Sequence, residues 1–171
     1  VLMKKNNKRV TMERNLADAT AAGIWMHCFL FFGFPGETDE DAQETYDFVV
    51  SNSDIIGSFG SATFALEHNA RIFLHLDLFN LQLKPATRDD VDVYYEYDVK
   101  GGVNAERATE WMKRINEAGL DIPKYNAAGW VPRELQLCLL SKMAPGTLVE
   151  MGLALRRNAG LPRHASVPEI V

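Results

Sequence analysis

The sequence predicts an α/β protein with a parallel sheet, and three observations support this. Residues 24–32 form a long apolar run, a second strand candidate follows at residues 59–67, and segments with helical spacing precede and separate the two. Apolar side chains fall on both faces of the first run, as in parallel strands that helices cover on each side. Helices and strands that alternate in this way favour a parallel sheet with crossover helices.

The first half of the chain carries clear signals for where its helices begin and end. Thr11 can cap the beginning of a helix, and Gly23 can end that helix by adopting the left-handed conformation. After the first strand, Thr38 and Asp41 form a capping-box pattern. The helix that begins there is predicted to end near Ser51.

The middle of the chain favours extended structure. Apolar residues occupy every second position over 72–83, and they change from even to odd positions near Leu78. This pattern predicts an extended segment with a bend or bulge, although helix in part of it stays open. Residues 93–99 are β-prone and end at two glycines. These two stretches could pair as a hairpin, with the tyrosines of the second packing across strands.

The last third of the chain is predicted to be helical. Asn104 is a good cap for an amphipathic helix that ends at Gly119. A further helix is predicted over 132–142, with a break at residues 145–146 and a last helix capped at Thr147. The final residues are rich in Pro and Ala and are expected to form a loose tail.

Composition restricts the class of partner. The 171 residues, 47% of them hydrophobic, suffice for one domain with a core. A net charge of −5 provides no basic surface for a phosphate backbone, so no nucleic-acid partner is expected. The longest apolar run is far shorter than the ~20 residues that span a bilayer, and no signal-peptide pattern opens the chain. We therefore expect a cytoplasmic protein without a membrane partner.

The cysteines and histidines offer only weak candidates for chemistry. Cys28 and Cys138 lie far apart in apolar runs, which predicts reduced, buried thiols. His27, among aromatic residues, favours a core histidine with one hydrogen bond over a functional base. His68 and His75 have acidic neighbours, but their spacing matches no helical ligand pair, so no metal ligands are predicted.

One segment carries a specific pattern. Residues 22–24 read Ala-Gly-Ile, residues 33–38 read Gly-Phe-Pro-Gly-Glu-Thr, and the acidic helix that follows contains Thr-Tyr-Asp-Phe at residues 45–48. This pattern resembles the fifth strand and following helix of the partial barrel of radical S-adenosylmethionine (radical SAM) enzymes. Within that family it is most similar to the branch that often carries a cobalamin-binding domain. The resemblance covers about residues 3–118 and is specific only within 22–48.

The resemblance implies a fold and a set of site residues. Residues 1–100 would be the distal part of a partial TIM-like (β/α)6 barrel, and residues 101–171 a helical C-terminal extension. In the family, this strand and loop form part of the wall of the S-adenosylmethionine pocket, and a later strand borders the adenine. The implied cofactor-binding residues are Gly33, Pro35, Gly36, Glu37 and, less directly, Phe64 and Leu66; the resemblance implies no catalytic residue.

The chain departs from the family at the iron–sulfur site. Radical SAM enzymes hold a [4Fe-4S] cluster through three closely spaced cysteines, and the two cysteines of this chain cannot supply them. The resemblance implies that the complete protein uses S-adenosylmethionine and the cluster as cofactors, and the branch that it resembles often uses cobalamin as well. We expect the complete protein to perform radical or methyl-transfer chemistry on an unidentified small molecule or peptide. Val1 in place of Met suggests a fragment, so the N-terminal part or another chain would complete it, and this chain alone is expected to be inactive.

Two alternatives stay open at this point. A tight turn from strand to helix needs Gly, Pro and a capping Thr in any protein, so the chain could be a non-catalytic α/β interaction or assembly domain. It could instead be an unrelated α/β domain that binds a nucleotide or another anionic ligand at residues 33–38. A phosphate-binding P-loop is disfavoured because no Lys follows the second glycine.

Overall fold

The computed structural model describes residues 7–68, 70–85, 94–119, 121–122 and 133–158. Its helices are α1 (Arg9–Ala21), α2 (Asp39–Ser51), α3 (Ala105–Gly119), α4 (Arg133–Leu140) and α5 (Pro145–Asn158). Its strands are β1 (His27–Phe32), β2 (Ser58–Thr63), β3 (Leu66–Glu67), β4 (Leu81–Leu83), β5 (Tyr94–Tyr95) and β6 (Tyr97–Val99). Two 3-10 turns, Arg71–His75 and Asp77–Phe79, precede β4.

The predicted parallel pairing is confirmed. β1 and β2 lie parallel in continuous register from the pair His27 and Ser58 to the pair Phe32 and Thr63. α2 is the crossover between them, because parallel neighbours need a long connection. The fold is therefore mixed α/β, as the sequence predicts.

One face of this sheet builds the core. Because side chains alternate along a strand, Cys28, Leu30 and Phe32 share a face, which Phe59 of β2 extends. Phe32 and Phe59 are buried in the core cluster. α2 contributes Ala42 and Val49 to that cluster, and α3 contributes Ala108, Trp111 and Ile115.

The opposite face of the sheet is partly open to solvent. It carries His27, Phe29 and Phe31 on β1, beside Gly60 and Ala62 on β2. The Phe29 side chain is 73% exposed, although parallel sheets usually bury both faces. The sequence predicts a strand that helices cover on each side, and the exposure of Phe29 shows that this face is not fully covered.

Residues 66–103 differ in part from the sequence prediction. The expected pairing of the two middle stretches is confirmed, since β4 lies antiparallel to β6. Most of 72–79 is not extended, because it forms the two 3-10 turns, which end at Asn80 in the left-handed conformation with φ 51°. The bend expected near Leu78 is thus a turn of helix.

The helix ends follow local signals with two corrections. α1 begins at Arg9 with Lys8 as its N-cap, so the prediction of Thr11 as cap is wrong; Gly23, with φ 75°, ends it as predicted. The capping box at Thr38 and the end of α2 at Ser51 are confirmed. The second correction concerns α5, which begins at Pro145, so residues 145–146 do not break the helical region and Thr147 is not the N-cap. Pro is well suited to a first helical position.

Several predictions go beyond what the described residues test. The barrel assignment and the boundary between residues 100 and 101 stay predictions, although α3, beyond that boundary, packs on both β1 and β2. Residues 86–93, which include the start of the β-prone stretch, and the predicted C-terminal tail lie outside the described residues. Among the helices that the structure describes, none has the length and apolar character needed to cross a membrane.

Candidate functional site

The predicted site begins with the turn that leaves β1, which we call the β1–α2 loop (residues 33–38). Gly33 and Gly36 adopt φ values of 84° and 92°, which only glycine adopts without strain. The Glu37 N–H donates to the Phe34 carbonyl at 2.8 Å, which closes a tight turn. The Glu37 carboxylate in turn accepts a hydrogen bond from the Gly33 N–H. The loop is thereby closed on itself.

The same loop is attached to the segment that leads into α3. The Val103 N–H donates to the Glu37 carbonyl at 2.8 Å. A Cβ atom added at Gly102 would collide with that carbonyl oxygen, so the close approach requires glycine there. A Cβ atom at Gly33 would lie 2.8 Å from the Ala108 Cβ of α3. Packing within the chain therefore accounts for Gly33 and Gly102 before any ligand is considered.

The electrostatic surroundings of Glu37 disfavour its ionised form. Partial burial is the largest cause that raises the pKa of this carboxyl group above its ordinary 4.5. The hydrogen bond from Gly33 acts in the opposite direction, and the negative charges of Asp41 and Asp39 raise the pKa further. Burial and repulsion outweigh the hydrogen bonds.

An aromatic cluster lies at the carboxyl end of the parallel strands. Phe34 of the loop packs edge-on against Phe64, with ring centroids 5.3 Å apart, and against Phe79 at 5.9 Å. Phe31 lies 6.3 Å from both Phe34 and Phe64. Tyr97 lies 6.1 Å from Phe64 and donates its hydroxyl to the Phe64 carbonyl at 3.2 Å. Phe31, Phe34, Phe64, Phe79 and Tyr97 thus form one contiguous group.

This cluster brings two of the predicted site regions together. The loop and Phe64 are adjacent, as expected where the carboxyl ends of parallel strands meet. Phe79 and Tyr97 were not predicted as site residues, and they link the ends of β1 and β2 to the β4–β6 ribbon. Each of these segments contains an aromatic residue, but nothing in the sequence indicates that these aromatic residues are in contact.

The six predicted site residues differ in their access to solvent. Gly33 is buried, and Pro35 and Leu66 are almost completely so. Gly36 is exposed, while Glu37 and Phe64 are half-buried. A ligand at this end of the sheet could therefore reach Gly36, Glu37 and Phe64 directly, whereas the three buried positions could only shape their surroundings.

The start of α2 is a poor site for an anion. Thr38 accepts a hydrogen bond from the Asp41 N–H at 3.2 Å, and the Asp41 carboxylate accepts one from the Thr38 N–H at 3.0 Å. Asp39, Glu40 and Asp41 fill the first turn, where they suit the helix dipole. Their charge would repel a phosphate or carboxylate ligand.

The outer surface between α2 and α3 carries two shallow grooves, and neither is lined by the β1–α2 loop. The Trp111 indole donates to Asp39 at 2.7 Å there, and Arg107 pairs with the same carboxylate at 2.8 Å. The Arg114 guanidinium lies 4.5 Å from the Tyr46 ring centroid and 4.7 Å from that of Trp111. These contacts join the two helices, as cation–π pairs commonly do on protein surfaces.

His27 lies at the amino end of β1, away from the β1–α2 loop. Its Nδ1 atom is 2.8 Å from the Ser58 hydroxyl oxygen, which accepts a hydrogen bond from the Trp25 indole at 2.9 Å. Because Trp25 donates to that oxygen, the Ser58 hydroxyl proton is available to His27. This arrangement favours the structural interpretation of His27.

Among the residues that the structure describes, the cysteines and the histidines do not form a metal centre. Burial raises the pKa of the half-buried Cys28 thiol. Cys138 is exposed on α4, so the expectation of a buried thiol is wrong there, and both cysteines are free. His68 stacks on Tyr95 with ring centroids 4.0 Å apart. Within the described parts of the chain, no three His, Cys, Asp or Glu side chains are grouped as a metal site requires.

Comparison with protein-family models, curated proteins and solved structures gave no match to this chain.

Proposed function

We propose that this chain is a portion of a radical SAM protein and forms part of the wall of its S-adenosylmethionine pocket. The complete protein would use S-adenosylmethionine for radical or methyl-transfer chemistry. This portion supplies the β1–α2 loop and the aromatic cluster, and it is inactive alone. The reaction subtype depends on the rest of the protein.

The observation that carries the proposal is the β1–α2–β2 unit. Its parallel strands place the β1–α2 loop beside Phe64, at the end of the sheet where α/β proteins bind ligands. The partly open sheet face with Phe29 and Phe31 suits the inner wall of a barrel, whose outer wall α2 and α3 would form. An adenine ring could stack on the half-buried Phe64 ring.

The iron–sulfur cluster does not fit the residues of this chain. Cluster ligation needs three thiolates near one point, and Cys28 on β1 faces the core while Cys138 is exposed on α4. Any cluster of the complete protein therefore takes its ligands from elsewhere.

Two experiments test the proposal on the purified chain. Anaerobic reconstitution with iron and sulfide is expected to leave no absorbance of a [4Fe-4S] cluster; a stable cluster would contradict the claim that this chain is inactive alone. Calorimetric titration is expected to detect S-adenosylmethionine and 5′-deoxyadenosine but not inorganic phosphate. Binding of phosphate or of any nucleotide in preference to S-adenosylmethionine would favour the anionic-ligand alternative, which the acidic first turn of α2 disfavours.

A second proposal, of a non-catalytic interaction domain, is favoured by exposed apolar side chains. Leu74 and Leu78, in the 3-10 turns, are 78% and 67% exposed, and Phe29 is 73% exposed. Exposed apolar patches often mark protein interfaces. Light scattering after size-exclusion chromatography tests both proposals together, because a stable, well-behaved monomer would count against both an obligate partner and an incomplete barrel.

A further inference from the structure

The segment between β2 and α3 forms a small unit with few attachments to the rest of the chain. Its described part, residues 66–68, 70–85 and 94–100, contains β3 to β6 and both 3-10 turns, and we call it the flap. Within the described chain, its strands pair only with one another, β3 with β5 and β4 with β6. Its two buried apolar side chains, Leu66 and Leu81, lie outside the core cluster that the sheet forms with α2 and α3. Among the described residues, the flap thus contributes no side chain to that cluster.

A single hydrogen bond joins the flap to the described remainder of the chain. The Tyr97 hydroxyl donates it to the Phe64 carbonyl at 3.2 Å. The ring contacts across the same boundary are Tyr97 with Phe64, at 6.1 Å, and Phe79 with Phe34, at 5.9 Å. No ion pair between described residues crosses it. Aromatic contacts and one hydroxyl group thus hold the flap on the sheet.

The connection from the flap to α3 contains a glycine suited to a hinge. Gly102 lies against the Glu37 carbonyl, which also accepts a hydrogen bond from the Val103 N–H. Gly101, the residue before this attachment, has φ 85°, and a Cβ atom added there would meet no atom within 4 Å. Glycine can change its backbone angles at little cost, and hinges are often small residues at the ends of elements. We therefore expect the flap to move about Gly101 while Gly102 stays attached to the β1–α2 loop.

We propose that the flap is a lid over Phe34 and Phe64, which the Tyr97 hydroxyl holds closed and which detaches as a unit while the parallel sheet and its helices stay folded. Regions with few buried apolar contacts open at a lower free energy than the core. The flap meets that condition, since one hydrogen bond and the ring contacts of Tyr97 and Phe79 attach it.

Opening of the lid determines whether a ligand can stack on Phe64. Stacking needs one face of an aromatic ring, and the rings of Phe34 and Tyr97 lie against Phe64 at interplanar angles of 75° and 70°. Detachment of the flap removes Tyr97 from this group and exposes more of the Phe64 ring. This ligand-dependent part rests on the proposed function, whereas the opening of the flap does not.

Two amides of the flap report its opening. The Lys84 N–H donates to the Glu96 carbonyl at 2.9 Å, and the Lys100 N–H donates to the Asn80 carbonyl at 3.1 Å. The strand pairs of the flap are only two and three residues long, and such ribbons are marginally stable at best on their own in water. Both hydrogen bonds should therefore break when the flap detaches, so exchange of these amides with solvent measures the opening.

Amide hydrogen exchange of the whole ¹⁵N-labelled chain tests the lid without a ligand. The Lys84 and Lys100 amides should show similar protection factors, which lie clearly below that of the Ser58 amide, a donor to the Met26 carbonyl at the sheet. Protection equal to that of Ser58 would mean that the flap opens only together with the core. Complete lack of protection would mean that the flap is not closed in solution. Either result overturns the proposal.

Two tyrosine variants test the hydroxyl group. Tyr97→Phe keeps the ring and removes the hydroxyl, so it should lower the protection of Lys84 and Lys100 by roughly three- to tenfold, the effect of one hydrogen bond. Tyr94→Phe, at a 56% exposed position of β5, is the matched control and should leave their protection unchanged. An effect of Tyr97→Phe no larger than that of Tyr94→Phe would overturn the assignment of the hydroxyl.

A third variant separates the flap from the core. Thr38→Ala removes the N-cap of α2, which lies outside the flap. It should lower the protection of Ser58 by roughly fivefold, the effect of one N-cap, and leave Lys84 and Lys100 unchanged, because α2 stays folded when the flap opens. An equal loss at all three amides would contradict separate opening. Because this variant keeps Tyr97, it decides that question even if Tyr97→Phe does not fold.

Titration with S-adenosylmethionine tests the ligand-dependent part. A ligand that binds only the open state should lower the protection of Lys84 and Lys100, and Tyr97→Phe should bind it more tightly by the factor by which its protection fell. Binding that raises the protection would overturn the lid function while it supports the proposed function. Absence of binding overturns the ligand-dependent part together with the proposed function, but exchange without ligand still decides whether the flap opens.

Discussion

The indole N–H of Trp111 donates a 2.7 Å hydrogen bond to the Asp39 carboxylate, so the middle of α3 is joined to the first turn of α2. Trp111 also stacks on Phe32 of β1, with ring centroids 6.3 Å apart. One side chain therefore connects the sheet, the crossover helix and the helix that covers both strands. This connection fixes the start of α2, and with it the loop that precedes the helix.

The Asp39 titration tests this connection. The Trp111 hydrogen bond, followed by that from Arg107, lowers the pKa of Asp39 below its ordinary 3.8. Trp111→Phe keeps an aromatic ring against Phe32 but loses the donor, so the pKa of Asp39 should rise toward 3.8 in a carboxyl-carbon titration. A lowered carboxyl pKa stabilises the fold above 3.8, and this contribution is lost as the pH falls through the lowered pKa. An unchanged Asp39 titration in the variant would show that the hydrogen bond is absent in solution.

Gly33→Ala should destabilise the fold for two separable reasons. The residue has φ 84°, and its new Cβ would lie 2.8 Å from the Ala108 Cβ. A left-handed alanine costs about 1–2 kcal/mol, and the collision should bring the loss to about 2–4 kcal/mol in urea unfolding. Gly101→Ala is the matched control. Gly101 has a similar φ of 85°, but a Cβ atom added there would meet no atom within 4 Å.

The double variant Gly33→Ala with Ala108→Gly isolates the collision. It removes the opposing Cβ, at a cost of about 1 kcal/mol for glycine inside a helix. The two changes should therefore be less destabilising together than the sum of the single changes. Strict additivity would contradict the close packing of the loop on α3.

The capping box predicts a difference between two threonines. Thr38 caps α2 through the Asp41 N–H, so Thr38→Ala should lower the free energy of unfolding by about 1 kcal/mol. Thr11 lies inside α1, so Thr11→Ala should change it by less than about 0.5 kcal/mol. Urea unfolding of both variants measures the difference. Equal effects of the two substitutions would mean that α1 or α2 begins at a different residue.

The thiols should differ in reactivity. Cys138 is exposed, whereas Cys28 is half-buried and its pKa is raised by burial, which lowers the fraction of reactive thiolate. Brief treatment with iodoacetamide at neutral pH should modify Cys138 first, and Cys28 should react at a similar rate only after denaturation. Peptide mass spectrometry identifies the site, and early modification of Cys28 in the native chain would be inconsistent with its place on β1.

Local signals explain what the sequence predicted well. The Thr38 and Asp41 box and the left-handed Gly23 act within one helical turn, so short patterns identify them. The parallel pairing of β1 and β2 was predicted from the two-sided apolar pattern of β1 and from the alternation of helices and strands, although one face of β1 is partly open to solvent.

Contacts between distant segments explain what the sequence did not predict. Phe31 and Tyr97 belong to one aromatic cluster although 66 residues separate them, and no periodicity links them. The alternation over 72–83 suggests a strand, but most of it lies in 3-10 turns that bring Phe79 against Phe34. The requirement for glycine at position 102 likewise follows only from the structure, in which the Glu37 carbonyl lies beside it.

The central claim is that the exposed side of the β1–α2 loop lies against an adenosyl ligand. Amide resonances of the ¹⁵N-labelled chain during titration with S-adenosylmethionine test it most directly, with inorganic phosphate as the control. S-adenosylmethionine should shift the resonances of Gly36, Glu37 and Phe64, and phosphate should leave them unchanged. Unchanged resonances at millimolar S-adenosylmethionine, or shifts confined to the groove between α2 and α3, would contradict it.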